Sequence, residues 1–277
     1  MQFKNLEAKC RYYQSLSDYK LLPNSYVLVH IDGRSFSHLV KNKFRKPFDD
    51  DFIEMMNETA KYVCENVQGA KFAFVQSDEI SFVLTDFDTP TTDAFFNNRL
   101  CKMQSIIASL ATAKFNQLMF QYKLLKFDYD RIDDALYTLD SAVDFIGEQQ
   151  LYQFDCKCWN VPSLNDVFAW FLYRQIDCIR NSKQQTAQTY LTHKELLGKD
   201  TDTQIKLLYD EKGINWYEFD DSKKFGRFVW KELIELVSEQ TRETYTRYKW
   251  LIKPAWQLTD ETGKERFFNL NNIPKIK

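Results

Sequence analysis

At 277 residues, 44% hydrophobic and 27% charged, the chain has the make-up of an ordinary soluble globular protein: one large domain, or one catalytic domain with an appendage. Only 7 Gly and 6 Pro leave little material for flexible linkers, while 16% aromatics, including 23 Phe, supply a large core. A net charge of −2 excludes a chain that is basic throughout, although residues 222–277 carry 12 Lys/Arg against 7 Asp/Glu, so a local nucleic-acid surface stays open.

Six cysteines are scattered along the chain, with no CxxC pair and no zinc-finger spacing around Cys156 and Cys158. They are expected to be free thiols of a reducing compartment. The N-terminus MQFKNLEAKCRYY has no apolar signal core, and no apolar run approaches ~18 residues. The expectation is a cytoplasmic protein without a membrane span.

Residues 26–32, YVLVHID, are β-rich and apolar, and predict a buried strand running into Gly33-Arg34. Residues 49–67 keep a helical period through Phe52, Met55, Met56, Ala60 and Val63. Asp49, Asp50 and Asp51 stand at its start, where carboxylates favour a helix N-terminus. Gly69 breaks the pattern. Residues 71–76 and 79–86 predict two strands joined by a tight Ser77-Asp78 turn. A long helix follows over about 93–121, then an acidic, ambiguous stretch over 122–148. Residues 151–160 predict a further strand, and Ser163 with Asp166 starts a helix of about 164–190. From 192 the spacing predicts short helices, one of them over 230–248 with Leu233, Leu236 and Val237 as apolar points, and a basic tail.

The order β-α-β-β-α-β is the ferredoxin-like split motif shared by polymerase palms and nucleotidyl cyclases. The expected fold class is α+β: a palm-like antiparallel sheet with helices, plus a C-terminal helical region. Residues 1–190 would form the catalytic palm and 191–277 a helical, basic extension packed on it. Topology alone licenses no function.

In this motif the first and third strands are central neighbours. Asp32 at the end of the first and Asp78 at the start of the third therefore converge, with Glu79 beside them. Two such carboxylates repel unless a cation lies between them. Hard oxygen ligands on a rigid sheet edge suit Mg²⁺, and two ions can activate an attacking hydroxyl and stabilise a leaving pyrophosphate. Taken by spacing alone, Asp-Gly and Ser-Asp-Glu are equally ordinary turn chemistry. Lys41, Lys43, Arg45 and Lys46 fall in the connection that borders such a site. Arg99 and Lys102, three apart on the long helix, share a face that would clamp a triphosphate or simply meet solvent. No Ser-His-Asp triad, P-loop or dinucleotide fingerprint occurs.

HIDGRSFSHL at 30–39, RKPFDDDF at 45–52 and VQSDEISFVL at 75–84 resemble the signature blocks of the tRNA-histidine guanylyltransferase family. The resemblance continues in NRLCKM at 98–103, FDCKCWNVP at 154–162 and RQIDCIRNS at 174–182. THKELLGK at 192–199 and EKGINW at 211–216 resemble its bacterial and archaeal guanylyltransferase-like branch, and coverage runs over roughly residues 5–230. The resemblance implies a palm fold assembled as a homotetramer. It also implies nucleotide addition to the 5′ end of tRNA in the 3′–5′ direction, after activation of that end by ATP or GTP. By the same resemblance Asp32, the Gly33 carbonyl and Asp78 would hold two Mg²⁺ ions, with Glu79 in support. Arg34, Ser35, Phe36, Lys46, Asp49, Ser77, Arg99 and Lys102 would contact the nucleotide. Phe48 departs from the Asn common at its position, which leaves that contact open.

The eukaryotic His-Ile-Asn-Asn block is replaced here by Ile179-Arg180-Asn181-Ser182. The histidine is tied to tRNA-histidine selection, so its loss implies the repair-type branch: template-directed extension of truncated tRNAs. Arg174, Arg180, Asn181 and Lys183 would then supply RNA contacts. Strict guanylylation of tRNA-histidine is the alternative within the family. A cyclase-like palm would want a Gly-Gly-acidic hairpin, and a non-catalytic RNA-binding palm would lack Asp32 or Asp78.

Overall fold

The structure, a computed structural model, describes residues 3–130, 150–237, 242 and 244–276, without the side chains of 125–130. The chain opens with helix α1 (Leu6–Ser15) and then builds the split motif in full. Strand β1 (Tyr26–Gly33) leads through α2 (Phe36–Lys43) and α3 (Asp50–Asn66) to the β2 (Ala70–Gln76) and β3 (Glu79–Leu84) hairpin. Helix α4 (Leu100–Asp130), β4 (Phe154–Val161) and α5 (Leu164–Tyr190) complete it. The ambiguous 122–148 stretch lies largely outside the described residues.

The sheet order is β4-β1-β3-β2, continued past β2 by β5 (Arg227–Val237) and β6 (Thr244–Pro254), and it is antiparallel at every pairing. β1 is apolar on both faces because helices cover both. Val27, Val29 and Ile31 pack with Val75 and Phe82 against Met56, Ala60, Ile107 and Phe115 of α3 and α4. Tyr26 and Leu28 pack with Phe72, Phe74 and Val83 against Val167 and Phe171 of α5. Among the described residues no helix is long and apolar enough to cross a membrane.

The region after α5 departs from the expectation of a helical extension. It holds α6 (His193–Leu196), α7 (Thr201–Lys212) and α8 (Asp221–Phe225), whose apolar side chains form a third cluster with the end of α5. The segment expected as a helix over 230–248 is instead a hairpin of β5 (Arg227–Val237) and β6 (Thr244–Pro254) that extends the palm sheet, followed by α9 (Glu261–Phe268). Leu233, Leu236 and Val237 imitate helical spacing. In the hairpin Leu233 and Val237 lie on one face and Leu236 on the other. The free edge of β2 and the β-branched and aromatic residues of β6 outweigh local helix propensity. β2 pairs only as far as Trp230, so the rest of the hairpin projects, with Leu233, Val237, Tyr245 and Tyr248 exposed.

The long helix expected from 93 starts only at Leu100. Before it, Phe96, Asn97 and Asn98 hold φ values of 49°, 52° and 57°, a left-handed run that no helix continues through. The helices α1 and α2 were not legible as periodic segments.

Candidate active site

Alternation along β1 sends Ile31 into the α3/α4 core and Asp32 to the opposite face, at the open end of the strand. Directly across from Asp32 stand Glu79 on β3 and Asp155 on β4. Three carboxylates therefore form one row over three strands. Burial, then the charges of Glu79 and Asp155, hold the Asp32 carboxyl above the usual aspartate range. Asp155 was not picked out from the sequence. It sits in the predicted 151–160 strand, and only the pairing register brings it opposite Asp32.

Asp78 occupies the two-residue loop between paired Gln76 and Glu79. Ser77 turns the chain in a left-handed conformation, φ 43°, and its hydroxyl donates to Asp78 Oδ1 at 2.9 Å. The Gly33 N–H donates to the Asp78 carbonyl at 3.2 Å and ties the end of β1 to this hairpin. Burial, reinforced by Asp32 and Glu79 and opposed by the Ser77 hydrogen bond, pushes the Asp78 carboxyl up to about 6. Gly33 is required by packing: a Cβ there would lie 2.5 Å from the Phe36 ring. Phe36 itself is a core residue, ringed by Phe115 and Phe154 at 4.9 and 4.8 Å. Ser35 precedes α2 with φ 61° and no capping hydrogen bond from its side chain, the second left-handed serine beside the carboxylates.

Over this end of the sheet lies a cavity of about 430 Å³ lined by Asp32, Gly33, Ser35, Lys46, Asp78 and Gln184 among others. That volume is within the range for small-molecule sites. A second recess of about 150 Å³ adjoins it and shares Ser77, Asp78, Asn181 and Gln185 with it. Gln184, Gln185 and Arg227 are lining residues that the sequence did not single out.

Several expected contacts are placed differently. Asp49 is the N-cap of α3, with Oδ1 accepting from Phe52 N–H at 3.1 Å and Oδ2 from Arg45 N–H at 2.9 Å, so its carboxylate shapes the Lys46 loop. Phe48 packs edge-on against Phe219 at 5.6 Å, an apolar contact where Asn is common. Arg34 is held by Gln153 at 3.0 Å and lines a different cavity. Arg99 and Lys102 lie at the far end of the sheet. Arg99 pairs with Asp18 at 2.7 Å, and Lys102 sits over the Phe96 ring at 4.6 Å. Neither reaches the Asp32–Asp78 end of the sheet within one chain.

The proposed RNA contacts on α5 are mostly occupied. Arg174 is buried, binds both Glu79 and Asp177, and stacks on Tyr173 at 5.2 Å. It anchors the Glu79 carboxylate instead of facing solvent. Lys183 pairs with Asp202 at 2.5 Å and ties α7 to α5. Arg180 is exposed and Asn181 lines both cavities, while each also binds Asp177.

The donor set fits magnesium. Asp32, Asp78 and the Gly33 carbonyl are hard oxygens, and a cation would offset the burial that raises both carboxyls. Among the described residues no group of three or more His, Cys, Asp or Glu is arranged to hold an ion unaided. Mg²⁺ suits such a site, because it takes one or two carboxylates and keeps water and phosphate oxygens as its other ligands.

The sequence profile of the tRNAHis guanylyltransferase family matches residues 7–162, more than half of the chain. The chain belongs to the tRNAHis guanylyltransferase family. It is accordingly a nucleotidyltransferase. A bacterial tRNA(His) guanylyltransferase-like protein solved in complex with ATP superimposes with a TM-score of 0.75 at 30% identity, covering 96% of this chain and 100% of that one. A bacterial guanylyltransferase-like protein solved in complex with GTP gives a TM-score of 0.71 at 28% identity, covering 96% and 99%. The tRNA(His) guanylyltransferase of Kluyveromyces lactis is 28% identical over 221 residues, 76% of this chain and 84% of the yeast protein. These two solved structures share the fold of this chain, in which Asp32, Glu79 and Asp155 stand in one row.

Proposed function

We propose that this chain adds nucleotides to the 5′ end of tRNA in the 3′–5′ direction, directed by the opposing acceptor strand, after the end is activated by a nucleoside triphosphate. The observation that carries the proposal is the meeting of Asp32 and Asp78 at the open end of a palm sheet, beneath a cavity of nucleotide size. Asp32, Asp78 and the Gly33 carbonyl would hold two Mg²⁺ ions. Bound there, the ions would neutralise the pyrophosphate released when the 5′ end is activated, and would lower the pKa of the 3′-hydroxyl that then displaces the activating nucleoside monophosphate.

The chain's own residues set the geometry. Ser77 and Gly33 fix the Asp78 turn against the end of β1. Arg174 holds Glu79 in its place beside Asp32. Lys46 is the cation lining the larger cavity, and it would grip a phosphate oxygen with a charge-assisted hydrogen bond. Arg99 and Lys102 point away from their own site. If they clamp a triphosphate, it is one held by another copy, which is consistent with a homotetramer.

The repair-type reading is supported by Ile179, which packs its apolar side chain against the cluster of α5, α7 and Trp216. An isoleucine there offers no donor to a base edge. Specificity would then rest on pairing: a mismatched nucleotide has its 3′-hydroxyl displaced, and displacement of about an ångström costs on the order of a hundredfold in rate. The test uses two 5′-truncated tRNAs with different anticodons and one acceptor stem, and a third with the opposing base changed. Product length and identity are read with Mg²⁺ and each nucleotide. The first two should extend alike and the third should switch nucleotide. Addition confined to the histidine anticodon, or guanosine added regardless of the opposing base, would reject it.

A further inference from the structure

The thiols of Cys156 and Cys158 take no part in the proposed chemistry, yet they stand together, Sγ to Sγ at 3.8 Å, in a shared hydrogen bond. Their positions are two apart on β4, so both point to the sheet face covered by α3 and α4. Cys158 is buried in the core there, and Cys156 packs against it half-buried. Asp155 and Lys157 alternate to the opposite face, the face of Asp32.

Two sulfurs in contact are a short step from a bond, but a bond between these two would be strained. Same-face Cα atoms of a flat strand lie about 6.6–6.8 Å apart, at the upper limit for a disulfide. The sulfurs must also close from 3.8 Å to the bonded distance of about 2.05 Å, so β4 must shorten at Lys157. It has the freedom to do so, because it is the edge strand and among the described residues pairs with β1 alone. A strained disulfide is easily reduced, which marks a reversible bond and not a structural one. The place of the buckle connects it to the site. Cys156 and Cys158 pair with Ile31 and Val29, and Asp155, next in the chain, pairs with Asp32. Shortening β4 there draws Asp155 out of register with Asp32.

We infer that Cys156 and Cys158 form an oxidation site for hydroperoxides, and that closing it to a disulfide switches off the carboxylate end of the sheet. Cys156, the less buried thiol, meets the oxidant first. Its sulfur takes one oxygen as the O–O bond breaks, which leaves a sulfenic acid and one water. The Cys158 sulfur then displaces that hydroxyl, and the thiol proton leaves with it as a second water. The two thiols give up two electrons and two protons, and hydrogen peroxide becomes two waters. The hydrogen bond to Cys158, then burial, raise the Cys156 pKa, so thiolate is scarce at neutral pH and closure quickens as pH rises. Formation of the bond is independent of the proposed function. The loss of nucleotide addition rests on it.

The test treats the full chain with hydrogen peroxide, then with dithiothreitol, beside Cys156→Ser and Cys158→Ser. After free thiols are blocked and the chain is unfolded, trypsin cuts at Lys157, between the two cysteines. An oxidised chain then yields two peptides joined through the new bond, and a reduced chain yields them apart. The wild type is expected to give the joined species, with faster amide exchange over residues 29–32 of β1. Nucleotide addition should fall at least about 10-fold, since ångström-scale displacement costs on the order of a hundredfold, and dithiothreitol should restore it. Both serine variants should keep their addition after peroxide. No joined species, a joined species with unchanged addition, or an equal loss in the serine variants overturns the inference. The peptide and exchange measurements use the wild type, so misfolding of a variant does not blunt them. A reduced wild type that adds nothing to RNA rejects the proposed function alone, and the joined species and amide exchange then decide this inference.

Discussion

Asp78→Asn separates the cost of the site from its use. The Asp78 carboxyl is raised from 3.8 to about 6, so the native state disfavours its ionised form. Because the folded value lies above the unfolded one, the native state binds the proton more tightly. The group therefore destabilises increasingly as pH rises from about 4 to above 6, and adds no penalty at lower pH. Each unit is about 1.4 kcal/mol, so the full shift is about 3 kcal/mol at pH 7.5. Asp78 is not sealed from solvent, which screens part of it, and about 1.5–3 kcal/mol is expected. Asparagine keeps an oxygen for the Ser77 hydroxyl while removing the charge. In EDTA at pH 7.5 the variant should melt roughly 4–10 °C above wild type, and at pH 4.5 the gain should shrink to about a third. Added Mg²⁺ should stabilise wild type and leave the variant nearly unmoved, since only a state that binds the ion is stabilised by it. Nucleotide addition should be lost. A variant no more stable than wild type at pH 7.5, or equally stabilised at both pH values, would refute the argument that Asp78 is held in an unfavourable charged state for a cation.

Lys46→Ala should lower kcat/KM for nucleotide addition by about 10- to 100-fold in steady-state assays, the value of a charge-assisted phosphate contact of roughly 1.5–3 kcal/mol. Lys102→Ala should match that loss only if copies of the chain assemble, which sedimentation of the same preparation would establish. Arg174→Met strands the carboxylates of Glu79 and Asp177 and should cost about 3 kcal/mol in denaturant unfolding; an unchanged midpoint would refute its role as the anchor of Glu79. Gly33→Ala puts a methyl 2.5 Å from the Phe36 ring and should cost about 1–3 kcal/mol, measured the same way.

The sequence by itself determined the core motif and the two aspartates. YVLVHID, KFAFVQ and EISFVL are continuous apolar runs because both faces of their sheet are covered, and a run of that kind is visible without any structure. Asp32 and Asp78 stood out because each ends or begins such a run, and the antiparallel pairing of β1 with β3 brought them to one end. The tertiary structure alone decided the rest. Asp155 joined the row through strand register, a property of pairing that no local pattern encodes. The β5–β6 hairpin formed where i, i+3 and i+4 spacing imitated a helix, because an open sheet edge offered backbone partners. Arg174 and Lys183 read as free cations until packing buried one beside Glu79 and paired the other with Asp202. Arg227 was one basic residue among many in the tail. Its place at the first position of β5, against Asn57 of α3, turned it into a buried donor, since burial depends on what the whole chain folds over a residue and not on the residue's neighbours in sequence.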